Sequence, residues 1–371
     1  MAMTNINKEK NVVLTSLSND ELVDLFIKIN GIPLKFRRRL NIPNNISFGN
    51  EIEVNGISLN MAKMVTELFN DVSDLYEEDR YVVHKEETAE AEIVTPILTN
   101  EVWHWANFEE IYSVLNDTGA TIGQNTSSHL HIGSNLINSP EKLSLLLKTL
   151  VIFEPIIFKF GYGYSDKPRE FLTARPERSI FSPMMTPKRV GIFTDELDHY
   201  NHGAQEVMKA NFFDFIATDL RFRPVFNFRN FDFSKIHYST DKSEPSINDH
   251  FEVRCFNGTL EPEIAQNNIN LITSIVASVI NGKIDEAYIK QEYDKYKKKR
   301  YNFDIFCAIL YDEEKINQYN RLLNGFSKVK LEKALKLADM IFDTEIDKYY
   351  FLKQYLKLFD ADIEYIKGLV K

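Results

Sequence analysis

Cysteine is nearly missing from this chain: its 371 residues include two, Cys255 and Cys307. Two thiols cannot build a disulfide framework or a cysteine-rich zinc site, so a reducing, cytoplasmic setting is expected. Glycine (14) and proline (12) are scarce as well, which excludes collagen-like and low-complexity disordered chains. Positive charge is in deficit, with 44 Lys and Arg against 54 Asp and Glu and a formal net charge of −10. General nucleic-acid binding needs a basic footprint, so that class is set aside, while a local pocket for a phosphate-bearing ligand stays open. Long hydrophobic runs are also absent. The polar stretch Met1 to Leu14 has no signal-peptide core. The most apolar segment, Leu143 to Phe160, is broken by Lys148, Glu154, Pro155 and Lys159. A membrane span needs about 20 largely apolar residues, so this segment is expected to be a buried or half-buried helix, and no membrane partner is expected.

What is present divides into three regions. Residues 1–45 read as a helical extension: Ser18-Asn19-Asp20-Glu21 is a capping box, and Gly31 with Pro33 marks the stop. Arg37 to Arg39 follow as a charge run best read as solvated. Residues 46–281 mix strands and helices. Apolar spacing predicts helices from about Asn60 to Val72, from Asn107 to Gly119, and from the Ser139-Pro140 pair onward. Residues 161–189 are expected to be irregular and carry Arg169, Arg175, Arg178 and Arg189. Long loops of this kind are often functional, so Arg175 and Arg178 are candidates for a nucleotide or substrate clamp, with plain solvation as the alternative. Gly161-Tyr162-Gly163 is too short to define a phosphate loop. Residues 282–371 are helical in pattern, with a basic run at Lys297 to Arg300 that suits a solvated face.

The informative pattern is an alternation that recurs in separate segments. In Ile46 to Val54, Glu51 and Glu53 share one face of a strand; Glu90 and Glu92 do so around Ala91. His129 and His131 lie opposite Leu130 and Ile132. Glu252 and Arg254 oppose Phe251, Val253 and Cys255, and Asn257-Gly258 is expected to turn a hairpin. Asn227 and Arg229 make a fifth polar pair. An antiparallel sheet with one wet face accounts for any single pair. Yet lysine is missing from all five, and what remains is carboxylate, imidazole, guanidinium and amide, the set that holds divalent metals and phosphate oxygens. Adjacent carboxylates repel unless a cation neutralises them. Oxygen ligands with imidazole suit Mg²⁺ or Mn²⁺ better than a closed structural zinc site. Cys255 falls on the apolar side by parity, so packing explains it better than nucleophilic chemistry. Trp103 and Trp105, which bracket His104, read as a buried edge or a loop anchor.

These segments, in this order, resemble the amidoligase family of the carboxylate–amine ligases, the superfamily of glutamine synthetase and γ-glutamylcysteine synthetase. Phe48-Gly49-Asn50-Glu51-Ile52-Glu53 is similar to its Gly-x-Glu-x-Glu strand, and Glu92-Ile93-Val94-Thr95-Pro96 to its Glu-(Ile/Leu)-Val-Ser-Pro segment. His129-Leu130-His131-Ile132-Gly133 resembles its His-Val-His motif. Arg223 to Asn227 resembles an Arg-x-x-x-Asn segment, and Glu252 to Leu260 the Glu-x-Arg…Gly-Thr-Leu strand. The likeness covers about residues 46–281. The family's Asp-x-Ser segment has no counterpart in Tyr81 to Thr88, so nothing is carried over there for the second substrate.

The resemblance implies an α+β fold, with a curved antiparallel sheet whose concave face binds metal and ATP and with helices packed outside. It implies ATP-dependent amide-bond formation through an acyl phosphate, with a small-molecule or peptide carboxylate and an amine as substrates. Glu51, Glu53, Glu92 and Glu252 match metal-ligand carboxylates. His131 matches the imidazole ligand, with His129 a close second. Arg254 matches the arginine that neutralises the transferred phosphoryl group, beside Glu53 and Glu252 as catalytic candidates and Asn227 as a nucleotide contact. Two other readings of the same cluster stay open: a metal-dependent hydrolase, and a non-catalytic binding protein.

Overall fold

In the computed structural model, the described residues are 12–123, 125–161, 226–228, 230–232, 235, 249–298 and 328–357. Arg169, Arg175, Arg178, Arg189, Arg223, Arg229 and Cys307, like the side chains of the basic run at 297–300, lie outside them. The fold is α+β. Six strands form one antiparallel sheet: β1 (Phe48–Val54), β2 (Val82–His84), β3 (Ala91–Val94), β4 (Ser127–Gly133), β5 (Phe226–Asn227) and β6 (His250–Asn257), in the spatial order β2-β3-β1-β4-β6-β5. Three of the predicted pairs, Glu51 with Glu53, His129 with His131 and Glu252 with Arg254, lie on strands; Glu92 is on β3 with Glu90 just ahead of it, and Asn227 is on β5.

Among the described residues the helices are α1 (Asn19–Asn30), α2 (Leu59–Val72), α3 (Val102–Asp117), α4 (Pro140–Gly161), α5 (Pro262–Ile280), α6 (Glu286–Lys298), α7 (Lys328–Ile341) and α8 (Glu345–Lys357). The capping box at Ser18 and Glu21 forms as read, and Gly31 ends α1. Ser58 caps α2 by accepting from the Met61 N–H at 3.2 Å. Ser139 does the same for α4.

Two local expectations are corrected. Helix α3 starts at Val102, not Asn107. The carboxylate of Glu101, just ahead of α3, makes no cap; it binds Arg39 and Asn44 instead. Trp103 and Trp105 are thus helical. Trp105 is fully buried, stacks on Phe48, and donates its indole N–H to Asn100. Asn257-Gly258 does not turn a hairpin, because Pro262 opens α5 at once. Gly258 is needed for another reason: a Cβ there would lie 2.6 Å from the Thr126 hydroxyl.

One face of the sheet carries the core. Phe48, Ile52, Leu130, Ile132, Phe251 and Val253 join α3, α4 and α5 there. Asn50 is buried on this side, donating to the Tyr112 hydroxyl of α3 and accepting from Ser128. The apolar segment at 143–160 is α4, buried along nearly its whole length and running through Pro155. Residues of 12–45 and 328–357 share the same core. Arg37 pairs with the buried Asp347 at 2.6 Å, and Asp339 accepts from the Leu14 and Thr15 N–H groups and from Lys348. Among the described residues no helix is long and apolar enough to cross a membrane.

Candidate metal centre

The polar face is assembled by strand register. Glu53 lies opposite Glu92, Glu51 opposite His129, His131 opposite Glu252, and Asn227 opposite Glu252. Because side chains alternate with period two, each of these pairs projects to the same side. Seven residues from five strands thus share one face, on neighbouring cross-strand rows of β3, β1, β4, β6 and β5. Gly49 faces His131 on that side of the sheet.

Glu51 is the hub. Its two carboxylate oxygens meet His129 Nδ1 at 2.6 Å and His131 Nε2 at 2.8 Å. His129 Nδ1 also lies 3.7 Å from Glu252, and its Nε2 lies 3.8 Å from Glu53. Two groups of three donors result: Glu51, Glu92 and His129, and Glu51, His131 and Glu252. In each, the ligand atoms lie within 4.8 Å of one another. Both histidines are therefore drawn in, one to each group, and Glu51 belongs to both.

Glu53 belongs to neither group. It accepts from the Ser127 N–H at 2.7 Å and from the Ser127 hydroxyl, which also lies 3.0 Å from His129 Nε2. Glu53 and Ser127 thus fix the ring of His129 from behind. Ser127 was not singled out from the sequence, although its place two residues before His129 puts it on the same face.

A bulge shapes the far side. Between Ser128 and Leu130 of β4 the pairing with β6 shifts by one residue, so His129 faces the Arg254–Cys255 step. Beyond the bulge the parity of β6 is reset. Phe256 packs on Phe160 of α4, on the core side, whereas strict alternation would have placed it with Arg254. Arg254 stays on the site side, bonded to Glu252 through one nitrogen. Its side chain is only 9% exposed, and its Nε has no hydrogen-bond partner among the described residues. Asn227 donates to the other oxygen of Glu252 at 3.0 Å. Cys255 is fully buried, and burial pushes its thiol well up, away from the reactive thiolate.

The electrostatics follow from this crowding. Burial disfavours the charged form of Glu51, but the hydrogen bonds and charges of His129 and His131 outweigh it and hold the carboxyl low. Burial likewise opposes the charge on Glu252 and loses to Arg254 and His129, so that carboxyl is lowered. For His131, burial opposes protonation but the bond to Glu51 and the charge of Glu252 win, and its pKa is raised. For Glu92 the opposing charge of Arg254 is outweighed. Burial first, then the charges of Glu51, Glu86 and Glu53, push it up to about 8. The two imidazoles stand where a cation would neutralise Glu51.

The donor set fits a divalent cation of the Mg²⁺ or Mn²⁺ kind: two carboxylates and one imidazole in each group, carried on strands. No protein-family model matches the chain, and no curated protein matches it.

Proposed function

We propose that the chain is an ATP- and Mg²⁺- or Mn²⁺-dependent carboxylate–amine ligase, working on the face that carries Glu51. The observation that supports this reading is the meeting of two carboxylate–imidazole groups with a buried guanidinium that keeps an unpaired N–H. A cluster that only neutralised itself would have no use for an arginine with spare donors. The order of the motifs, which resembles the amidoligases, supplies the class of reaction. In that reading the sheet takes the finer form of a glutamine synthetase-like catalytic domain.

Each residue then has a task. Glu51, Glu92, His129, His131 and Glu252 would hold the cations, with Glu53 and Ser127 orienting His129. When bound, the cations would supply charge neutralisation on the triphosphate. Arg254 offers its remaining N–H donors to an equatorial phosphoryl oxygen, the form of stabilisation on which phosphoryl transfer depends. Asn227 keeps Glu252 in place. A carboxylate oxygen of the donor substrate displaces ADP at the γ-phosphorus. The amine then adds to the acyl-phosphate carbon, inorganic phosphate leaves, and the nitrogen gives up a proton.

Nucleotide product analysis tests this. The purified protein is incubated with ATP, Mg²⁺ or Mn²⁺, and a mixture of amino acids and short peptides. ADP, phosphate and a condensed product are expected in equal amounts. AMP with pyrophosphate rejects the acyl-phosphate route. Metal-dependent hydrolysis without nucleotide selects the hydrolase reading instead.

A further inference from the structure

The ring of His131 touches another imidazole, that of His250, which stands outside both donor groups. His250 opens β6 two residues before Glu252, so it shares that residue's parity and rises on the site face. Pairing sets Glu252 opposite His131 and His250 opposite Gly133. His250 is therefore the diagonal neighbour of His131, at a distance that aromatic side chains span. The two ring centres lie 4.9 Å apart with their planes at 63°, the edge-to-face arrangement that ring quadrupoles favour. His131 is thus held by Glu51 at Nε2 and by the ring of His250.

His250 is in turn fixed by Asn230, which donates its amide N–H to His250 Nε2 at 3.0 Å and accepts the His250 backbone N–H at 3.3 Å. The chain that follows Asn230 is tied to the heads of β4 and β6 through one buried carboxylate. Asp249, the residue before His250, accepts from the Asp232 N–H at 2.9 Å and from the Ser134 hydroxyl at 2.8 Å. Lys235 reaches its other oxygen and donates to the Ser134 carbonyl at 2.6 Å. Asp249 and Ser134 are both buried, so this knot is no ligand site. It seats Asn230 and His250.

We propose that His250 is a positioning residue of the metal centre: braced by Asn230, its ring keeps the His131 imidazole in the rotamer that turns Nε2 towards Glu51. This rests on the reading of the face as a metal centre and adds to it a residue outside both donor groups. A metal-binding histidine needs its ring set by a further neighbour. His129 has Ser127 and Glu53 for this; His131 has His250.

Mn²⁺ titration calorimetry and the histidine-ring NMR spectrum of the full chain test it together. His250→Ala should bind Mn²⁺ about 10–100-fold more weakly than wild type. In chelator, the His131 Cε1 resonance, assigned by its absence from His131→Gln, should shift and broaden in that variant. His250→Phe keeps an edge-to-face ring and should recover most of the affinity. Asn230→Ala, at an exposed position, should move both readouts in the direction of His250→Ala. An unchanged His131 resonance in Asn230→Ala overturns the proposal even where His250→Ala does not fold. A His250 that only supports the fold would lower the melting temperature of His250→Ala and leave the His131 resonance in place, which overturns it too. So do wild-type affinity in His250→Ala and equal losses in the alanine and phenylalanine variants. A wild type that binds no Mn²⁺ rejects the metal centre, and the His131 resonance in chelator then decides alone whether His250 sets that ring.

Discussion

Replacing Glu92 by glutamine separates what the carboxylate cluster costs from what it does. Glu92 and Glu51 place oxygens within 4.8 Å of each other. At an effective dielectric of about 20, two full charges at that distance repel by about 3.5 kcal/mol. Glu51 has two imidazoles to answer its charge; Glu92 has none as close, the nearest being His84 at 3.8 Å. Its pKa is accordingly raised, to about 8, by burial and then by the neighbouring carboxylates.

A carboxyl whose folded pKa lies above its unfolded value lowers stability once pH exceeds the unfolded value, and the cost grows until the folded pKa is passed. At pH 7 the cost is about 3 kcal/mol. Glutamine keeps the shape and removes the charge. In chelator at pH 7 the Glu92→Gln variant should therefore gain about 1–3 kcal/mol and melt roughly 1–4 °C above wild type. The advantage should vanish as pH falls below about 4.5. With Mg²⁺ or Mn²⁺ at 100 times its dissociation constant, wild type gains about 2.7 kcal/mol, and the variant should gain less than a third of that. The assay is thermal unfolding across a cation titration and a pH series. A variant that melts below wild type in chelator, or that keeps the full cation response, refutes the reasoning.

Arg254→Lys should keep the cation-induced stabilisation and lose ATP-dependent turnover by about two orders of magnitude, because lysine cannot supply the planar fork; near-normal turnover in the folded variant would leave only the ion pair with Glu252. Ser127→Ala frees Glu53 and His129 and should weaken cation binding about 10–100-fold by titration calorimetry; an unchanged affinity would show that Ser127 orients neither. Asp339→Asn should cost about 2–3 kcal/mol by removing the charge that answers Lys348 and one of the two oxygens that accept from the Leu14 and Thr15 N–H groups. For Asp339, burial is outweighed by Lys348, Thr15 and Leu14, and its pKa is lowered. Its contribution is thus complete above the unfolded value near 4 and is lost as pH falls through the folded one. A gap between variant and wild-type melting temperatures that stays constant down to pH 3 would contradict this.

Much of the candidate site could be read from the chain because period-two alternation is a local property. Glu51 with Glu53, His129 with His131, and Glu252 with Arg254 each announce a shared face within three residues, and the structure puts all six on the side away from the core helices. Register is not local. That Glu51, and not Glu53, lies opposite His129 depends on a pairing across 78 residues, and no alternation within one strand can state it. The two glutamates therefore looked equivalent, whereas one lies between both imidazoles and the other is bound up by Ser127.

The same limit explains the bulge and the helical ends. One extra residue in β6 sends Phe256 to the core and keeps Arg254 on the site, and alternation counted through that point misassigns one of them. Helix α3 begins five residues before Asn107 because its first turn is anchored by Trp105 to Asn100, which long-range bonds hold in turn to Leu40 and Ile42. The polar residues of α5 make the point most sharply. Gln266, Asn267, Asn268 and Asn270 would place a wet face on that helix, yet all four are buried. They bond to the backbone of Arg37, to Gln354 and to Asp347, from segments 77 to 229 residues away. A buried amide is tolerated only where its partners are supplied, and here they come from the two ends of the described chain. The strands that carry the chemistry are thus legible one at a time, while the contacts that hold them in register are written in residues whose partners lie elsewhere.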